Sequence, residues 1–349
     1  MKGYNVIGIM SGSSLDGLDM AYCHFSNPNG HWKYHFKETF TFPFPVPLRE
    51  QLKVSRELDG QSLHQLDIDL GMWIGEKVHH FLKDHKEKPD LISSHGHTVF
   101  HNPGKYLSST IGNAHMIAGI SGIPVITDFR QADVAKKGQG APLAPIGDLH
   151  LFREYDACLN LGGIANISLK TEKEILAWDV VPCNQVLNSL AWRLGFPYDK
   201  DGELARSGNL ISNWRVYFDN LPYFSKRPPK SISNEWVQKY FLSDLPKNSR
   251  DALYTFTHFI VDAIVSSLKD YSPETILLSG GGAKNSYLVQ LIREKVKQEV
   301  IVPKSEIIDF KEALIFAFLG VLRSREEVNV LSSVTGATSD SVAGTIYLP

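Results

Sequence analysis

Tyr4-Asn-Val-Ile-Gly-Ile-Met-Ser-Gly-Ser-Ser-Leu-Asp-Gly-Leu-Asp19 is the stretch around which the chain is organised. Its apolar, β-branched opening, Val6-Ile7-Gly8-Ile9-Met10, predicts a short buried strand. Ser11, Gly12, Ser13, Ser14, Asp16 and Gly17 are turn formers with short polar side chains or none. Leu18 to Phe25 is strand-like again, so the segment reads as a β-hairpin with a polar, glycine-bearing tip. Such a tip turns backbone N–H groups and serine hydroxyls toward an anion, and glycine lets the backbone come close. Asp16 and Asp19 would repel a bare phosphate, so the tip suits a Mg–nucleotide better. Taken alone, the stretch also fits an ordinary N-terminal hairpin with a well-made turn.

The chain has 349 residues, long for one core, which predicts two domains. With 43% apolar and 21% charged residues it has the composition of a globular protein. A formal charge of -2 gives no electrostatic case for nucleic acid or an anionic membrane. No apolar run approaches a membrane span, and the N-terminus lacks a signal-peptide pattern, so a cytoplasmic location is expected. Cys23, Cys158 and Cys183 are widely spaced and form no CxxC pair, which argues against a disulfide framework or a zinc site.

Further along, Trp32 to Phe42 predicts a strand closed by a rigid turn through Phe42-Pro-Phe-Pro-Val-Pro47. Leu63 to His85 has the period of an amphipathic helix. The strand Asp90–Ser94 delivers His95-Gly-His-Thr-Val-Phe-His101, read as a polar, substrate-facing loop. Its three histidines invite a metal reading, but a strand running into a loop spreads them over both faces; the residues name no metal ligands. Ile111–Gly122 predicts a helix, and Ile123–Phe129 a strand whose carboxyl end carries Asp128, Arg130 and Asp133, followed by the glycine-rich 137–143. Polar groups at that end of a strand are where α/β folds place their chemistry, although a structural Asp–Arg pair competes. Asp156 to Ser168 repeats the opening theme as a second hairpin around Gly162-Gly163. Ile175–Asn184 ends a strand with Asp179 just before a helix, with Asn184 as the expected N-cap. Thr275–Ser279 meets Gly280-Gly281-Gly282-Ala-Lys-Asn285 at the start of another helix, a setting in which a nucleotide can approach the backbone. GxxxxGK[ST] and a βαβ-opening GxGxxG are both missing, so P-loop and Rossmann readings fail. Val300–Val302 reads as a last parallel-type strand and Phe310–Arg325 as a helix with Glu312 near its start; Leu331–Pro349 is expected to return to the first domain. Strand–helix alternation throughout gives an α/β class.

Two glycine hairpins and a strand–GGG–helix, in that order, resemble the actin and hexokinase superfamily of nucleotide phosphotransferases. Within it the chain is similar to the anhydro-N-acetylmuramic acid kinases. The residues that carry this are Gly8–Asp19, Ser94-His-Gly-His-Thr-Val-Phe-His101, Asp128–Ala135, Gly138-Gln-Gly-Ala-Pro-Leu143, Asn160-Leu-Gly-Gly-Ile-Ala-Asn166, Pro197–Glu203, Ser279–Asn285 and Val334-Thr-Gly-Ala337. The resemblance implies a two-lobed, actin/hexokinase-like (ribonuclease H-like) α/β fold with a nucleotide cleft between the lobes. The expected division is 1–122 plus about 326–349 for the N-terminal lobe and 123–325 for the C-terminal lobe.

It also implies an enzyme that splits a 1,6-anhydro sugar with water while phosphorylating the freed 6-oxygen from ATP with Mg²⁺, in cell-wall sugar recycling. Asp179 matches the base. Gly12, Ser13, Ser14, Asp16, Gly17, Asp19, Asn160, Gly162, Gly163, Gly280, Gly281, Gly282 and Asn285 match nucleotide positions; His97, Arg130, Asp133 and Glu312 match substrate positions. A homodimer is suggested by the resemblance alone. The chain departs from the family's Asp-Thr-Gly-Pro-Gly-Asn with Asp179-Val-Val-Pro-Cys-Asn184, from its glutamine with His97, and from its threonine with Ser13. Between Lys230 and Glu235 the family's Ser-Thr-Gly-Arg-Glu pattern is blurred. The competing readings are a kinase for another anhydro sugar or a hexose, and a non-catalytic nucleotide- and sugar-binding protein.

Overall fold

The computed structural model describes residues 3–349 apart from Ser13, Ser14, Asp16 and Pro229. The nucleotide contacts expected of Ser13, Ser14 and Asp16 therefore lie outside the described residues. Thirteen strands run among those described: β1 (Tyr4–Ser11), β2 (Leu18–Ser26), β3 (Lys33–Phe42), β4 (Leu91–Ser94), β5 (His97–Asn102), β6 (Leu107–Ile111), β7 (Val125–Thr127), β8 (Ala157–Leu161), β9 (Ile164–Lys170), β10 (Ile175–Pro182), β11 (Thr275–Ser279), β12 (Glu299–Ile301) and β13 (Thr345–Tyr347). The chain divides into two compact units, Met1–Phe152 with Phe310–Pro349, and Arg153–Asp309. The expected boundaries differ from these. Residues 123–152 and 310–325 belong to the first unit because β7 pairs with β4, and because the Ser305–Ser324 helix meets β1 at Gly8.

The first unit carries a six-stranded sheet in the order β13-β7-β4-β1-β2-β3. β1, β2 and β3 form an antiparallel meander, and β4 and β7 run parallel to β1. The opening hairpin has the register Ser11↔Leu18, so its tip is the expected polar segment. A Cβ at Gly8 would fall on the Ala313 carbonyl, and one at Gly320 on the Ser93 side chain. Two glycines thus let the Ser305–Ser324 helix lie directly on the sheet. The long helix Gly60–Phe81 is N-capped by Asp59, which accepts from Ser62 N at 2.9 Å. It buries Leu66, Leu70, Ile74, Val78 and Phe81 against the sheet's core, each contributing roughly 1.5–3 kcal/mol. The proline run does not stay a turn: Val46–Lys53 is a helix, with Pro47 in its first turn where a missing N–H costs nothing. The segment expected as a histidine loop is a ribbon, β5 paired antiparallel to β6, which takes Ile111 from the predicted helix and leaves Ala114–Ser121 helical.

The second unit repeats the plan with a five-stranded sheet ordered β10-β9-β8-β11-β12. Here β8, β9 and β10 are the meander, and β11 and β12 run parallel to β8. An antiparallel meander followed by two parallel strands, occurring twice, is the ribonuclease H-like arrangement of an actin/hexokinase-like fold. The core is built on the helix Ser249–Ser267, capped by Asn248, with Phe256, Phe259, Ile260 and Ile264 buried.

Candidate active site

In the first unit, chemistry gathers where β1, β4 and β7 end. Asp19, near the start of β2, accepts a hydrogen bond from Thr41 Oγ1 at 2.6 Å, and the half-buried Gly12 accepts at its carbonyl from Leu15 N. Arg130 follows β7. One guanidinium nitrogen donates to Gly140 O at 2.6 Å and another to His95 Nε2 at 2.8 Å. Burial lowers the Arg130 pKa to about 10, opposed by Glu312, so the group stays cationic at neutral pH. Glu312 reaches solvent, yet the protein around it raises its carboxyl pKa by desolvation, and Asp19 pushes the same way; Lys311 and Arg130 offset this in part. Beside it, Lys311 forms a buried ion pair with Asp148 at 2.7 Å.

Two expected sugar contacts have other work. Asp133 is fully buried, with one carboxylate oxygen accepting from Gly140 N at 2.8 Å and the other from Thr335 Oγ1 at 2.7 Å. It clamps the glycine-rich loop to the returning C-terminal segment, and neither oxygen is presented to a ligand. His97 is buried too, its Nδ1 paired with Ser11 Oγ at 3.2 Å, so it braces the end of β1 at the hairpin tip. Burial, followed by the nearby Arg56, lowers its pKa. The three histidines diverge: His95 meets Arg130, His97 meets Ser11 and His101 meets Ser108. Among the described residues no group of three or more His, Cys, Asp or Glu is arranged to hold a metal.

In the second unit, Asn160, Gly162, Gly163 and Gly280 to Gly282 come together. A Cβ at Gly280 (φ 76°) would strike Asn160 Oδ1 and the Leu161 carbonyl, and one at Gly282 would meet Leu161. The triple-glycine turn therefore lies flat on the hairpin tip. Asn285, placed by sequence at the nucleotide, uses its Oδ1 to cap the helix Ser286–Lys295 through Leu288 N. The helix after Asp179 spans Asn184–Trp192, and its N-cap position is Cys183. Asn184 is not the cap; its Nδ2 donates to Leu161 O at 2.8 Å. The Gly162 and Gly163 carbonyls accept from Asn184 N, Cys183 N and Gln185 N, which satisfies this helix start.

Asp179 lies inside β10 rather than at its end, at a bulge between Asp179 and Val181. Bulges re-aim side chains. The chain at 230–232 runs alongside: Asp179 N donates to Lys230 O at 3.0 Å, and Ile232 N donates to Asp179 Oδ2 at 2.8 Å. Tyr223 Oη donates to the Asp179 carbonyl at 2.6 Å. Desolvation raises the Asp179 pKa to about 6 against the lowering effect of the Ile232 bond. Tyr223 and the 230–232 segment escape sequence reading, since they sit in a proline-rich loop without periodicity. The residues that depart from the family pattern, Val180, Val181 and Cys183, are all buried in the core of this unit.

The family profile described as anhydro-N-acetylmuramic acid kinase matches residues 4–349. Proteins named anhydro-N-acetylmuramic acid kinase align along essentially the whole chain. The one from Sulfurimonas denitrificans is 32% identical over 368 aligned positions, covering 98% of each chain. That from Sulfurovum sp. is 33% identical over 365 positions, covering 100% of each. That from Bacillus thuringiensis is 31% identical over 378 positions, covering 99% of each. The duplicated fold and these relatives define a phosphotransferase with an alcohol group as acceptor, of the sugar-kinase type. The chain belongs to the anhydro-N-acetylmuramic acid kinase family.

Proposed function

We propose that the protein opens 1,6-anhydro-N-acetylmuramic acid with water and phosphorylates the freed 6-oxygen from ATP, with Asp179 as the base. The observation that carries this is the half-buried Asp179 carboxylate at the β10 bulge, steadied by Ile232 N–H and titrating near 6. A base whose pKa lies just below neutrality is ionised at working pH yet basic enough to take a proton from water. The atoms balance as follows. Water oxygen ends on the anomeric carbon, the 6-oxygen ends on phosphorus, ADP leaves, and Asp179 holds the water proton.

Arg130 and Glu312 are the groups the family resemblance puts near the sugar, and the Gly12–Asp19 tip and the triple-glycine turn are those it puts near ATP. Asp133 and His97 support these groups from beneath, through Gly140 and Ser11. A divalent cation fits the first unit, because Asp19 already raises the Glu312 pKa and one or two carboxylates suffice for Mg²⁺ alongside phosphate oxygens. Asp19 would hold it, and when bound it supplies neutralisation of phosphate charge. Among the described residues no helix is long and apolar enough to cross a membrane; a cytoplasmic site of action, where ATP is made, and a homodimer complete the reading.

The test is incubation with ATP–Mg²⁺ and a panel comprising 1,6-anhydro-N-acetylmuramic acid, levoglucosan and plain hexoses, following ADP release and product mass. Turnover of the amino sugar with gain of one water and one phosphoryl group is expected. ADP release with levoglucosan or a hexose alone would move the substrate elsewhere, and none with any sugar would favour a binding protein.

A further inference from the structure

His95 lies outside the binding set read from the sequence, and its surroundings give it a definite part. It follows β4 directly, and its backbone N–H donates to Ile9 O at 2.9 Å, which fixes it to β1. The ring is 7% exposed and packs edge-on against Phe316, centroids 4.7 Å apart, one turn along the helix from Glu312. Its Nε2 accepts from Arg130, so the ring is neutral and carries its proton on Nδ1. Burial, and then the Arg130 charge, hold its pKa well below the usual range, in keeping with that state.

The second acceptor of Arg130, Gly140 O, is also uncharged. Arg130 is therefore held at two of its nitrogens by neutral groups. A carboxylate in place of His95 would orient the guanidinium equally well, but would also neutralise it. An imidazole takes the N–H and leaves the positive charge for whatever lies beyond. Arg130 reaches solvent in part, and the field of Glu312 opposes the effect of burial on its charge.

We propose that His95 is the positioning residue that fixes the Arg130 guanidinium and, by being a neutral acceptor, leaves its charge for the oxygen-rich, acidic sugar. The proposal rests on the reading of Arg130 as a sugar contact. It assigns the first histidine of Ser94-His-Gly-His97 to orientation of the acceptor-binding cation, distinct from the bracing of Ser11 by His97.

The test is steady-state kinetics on the full chain with ATP–Mg²⁺ and 1,6-anhydro-N-acetylmuramic acid, for His95→Leu, His95→Gln, His95→Asn, Arg130→Ala and the double variant His95→Leu/Arg130→Ala. His95→Leu should raise the KM for sugar about tenfold with the KM for ATP unchanged. His95→Gln, which keeps an acceptor of similar reach, should recover most of that loss. The double variant should be no worse than Arg130→Ala alone, because the histidine acts through the arginine. A normal sugar KM in His95→Leu beside an impaired Arg130→Ala, or fully additive losses in the double variant, would overturn the proposal. A normal sugar KM in Arg130→Ala would instead overturn the reading of Arg130, and the role of His95 with it. If His95→Leu does not fold, equal sugar KM values in His95→Gln and His95→Asn would overturn the proposal, since the shorter amide withdraws the acceptor.

Discussion

Ile232 donates its backbone N–H to Asp179 Oδ2 at 2.8 Å, and no described residue bonds the other carboxylate oxygen. One oxygen is thus fixed by the chain, and on the proposed reading the other takes the proton from water. The same geometry removes the alternative that Asp179 caps the following helix. That helix starts at Asn184, its first N–H groups taken by the Gly162 and Gly163 carbonyls.

The pH dependence follows from the raised pKa. Asp179 must be ionised to act as a base, so kcat/KM should fall as pH drops through about 6, an acid limb well above that of an ordinary aspartate. Initial rates between pH 4.5 and 8 at low sugar measure it. A limb near 4 would mean that another group takes the proton.

Gly280 tests the reading of the triple-glycine turn as a nucleotide contact. Its φ of 76° and ψ of 165° belong to a region open essentially to glycine, and a Cβ there would strike Asn160 Oδ1 and the Leu161 carbonyl. Gly280→Ala should cost about 1–3 kcal/mol of stability and raise the KM for ATP without a matching change in the KM for sugar. Thermal unfolding and kinetics in parallel decide it. An unaltered ATP KM in the folded variant would detach the triple-glycine turn from the nucleotide.

Asp133 separates structure from binding. Asp133→Ala strands Gly140 N in the interior and leaves Thr335 Oγ1 only its longer bond to Leu331 O at 3.2 Å, so a loss of about 1–3 kcal/mol in urea unfolding is expected. A variant of normal stability that fails only in sugar affinity would restore Asp133 to the binding set.

Much of this was legible in the sequence because hairpins with glycine tips declare themselves locally. The β1–β2 turn, the β8–β9 turn and the strand before Gly280 all follow from short apolar runs broken by turn formers. What escaped depends on distant partners. Asp133 looks like any polar residue after a strand until Thr335, about two hundred residues on, donates its hydroxyl to it. The pairing of β5 with β6 turns a histidine-rich segment into a ribbon and sends His95 and His97 to different neighbours. The two compact units differ from the expected limits for the same reason: β7 and the Ser305–Ser324 helix join the first unit through contacts with β4 and Gly8. Family resemblance alone marks Asp179 as the expected base, and its bulge and its Ile232 partner depend on a loop the sequence leaves featureless.

Replacement of Asp179 by asparagine tests the central claim most directly. Asn keeps an oxygen for the Ile232 N–H and nearly the same volume, and it removes a carboxylate whose ionised form is disfavoured by burial. A folded-state pKa above the unfolded one means that Asp179 lowers stability as pH rises from about 4 through about 6. Asp179→Asn should therefore be at least as stable as the parent at pH 7.5, and should bind ATP and sugar normally. The measurement is single-turnover formation of ADP and sugar phosphate by that variant with saturating substrates. The account expects both products to fall together by at least about 10²-fold. Turnover within a few-fold of the parent would contradict it and move the search for the base to Glu312.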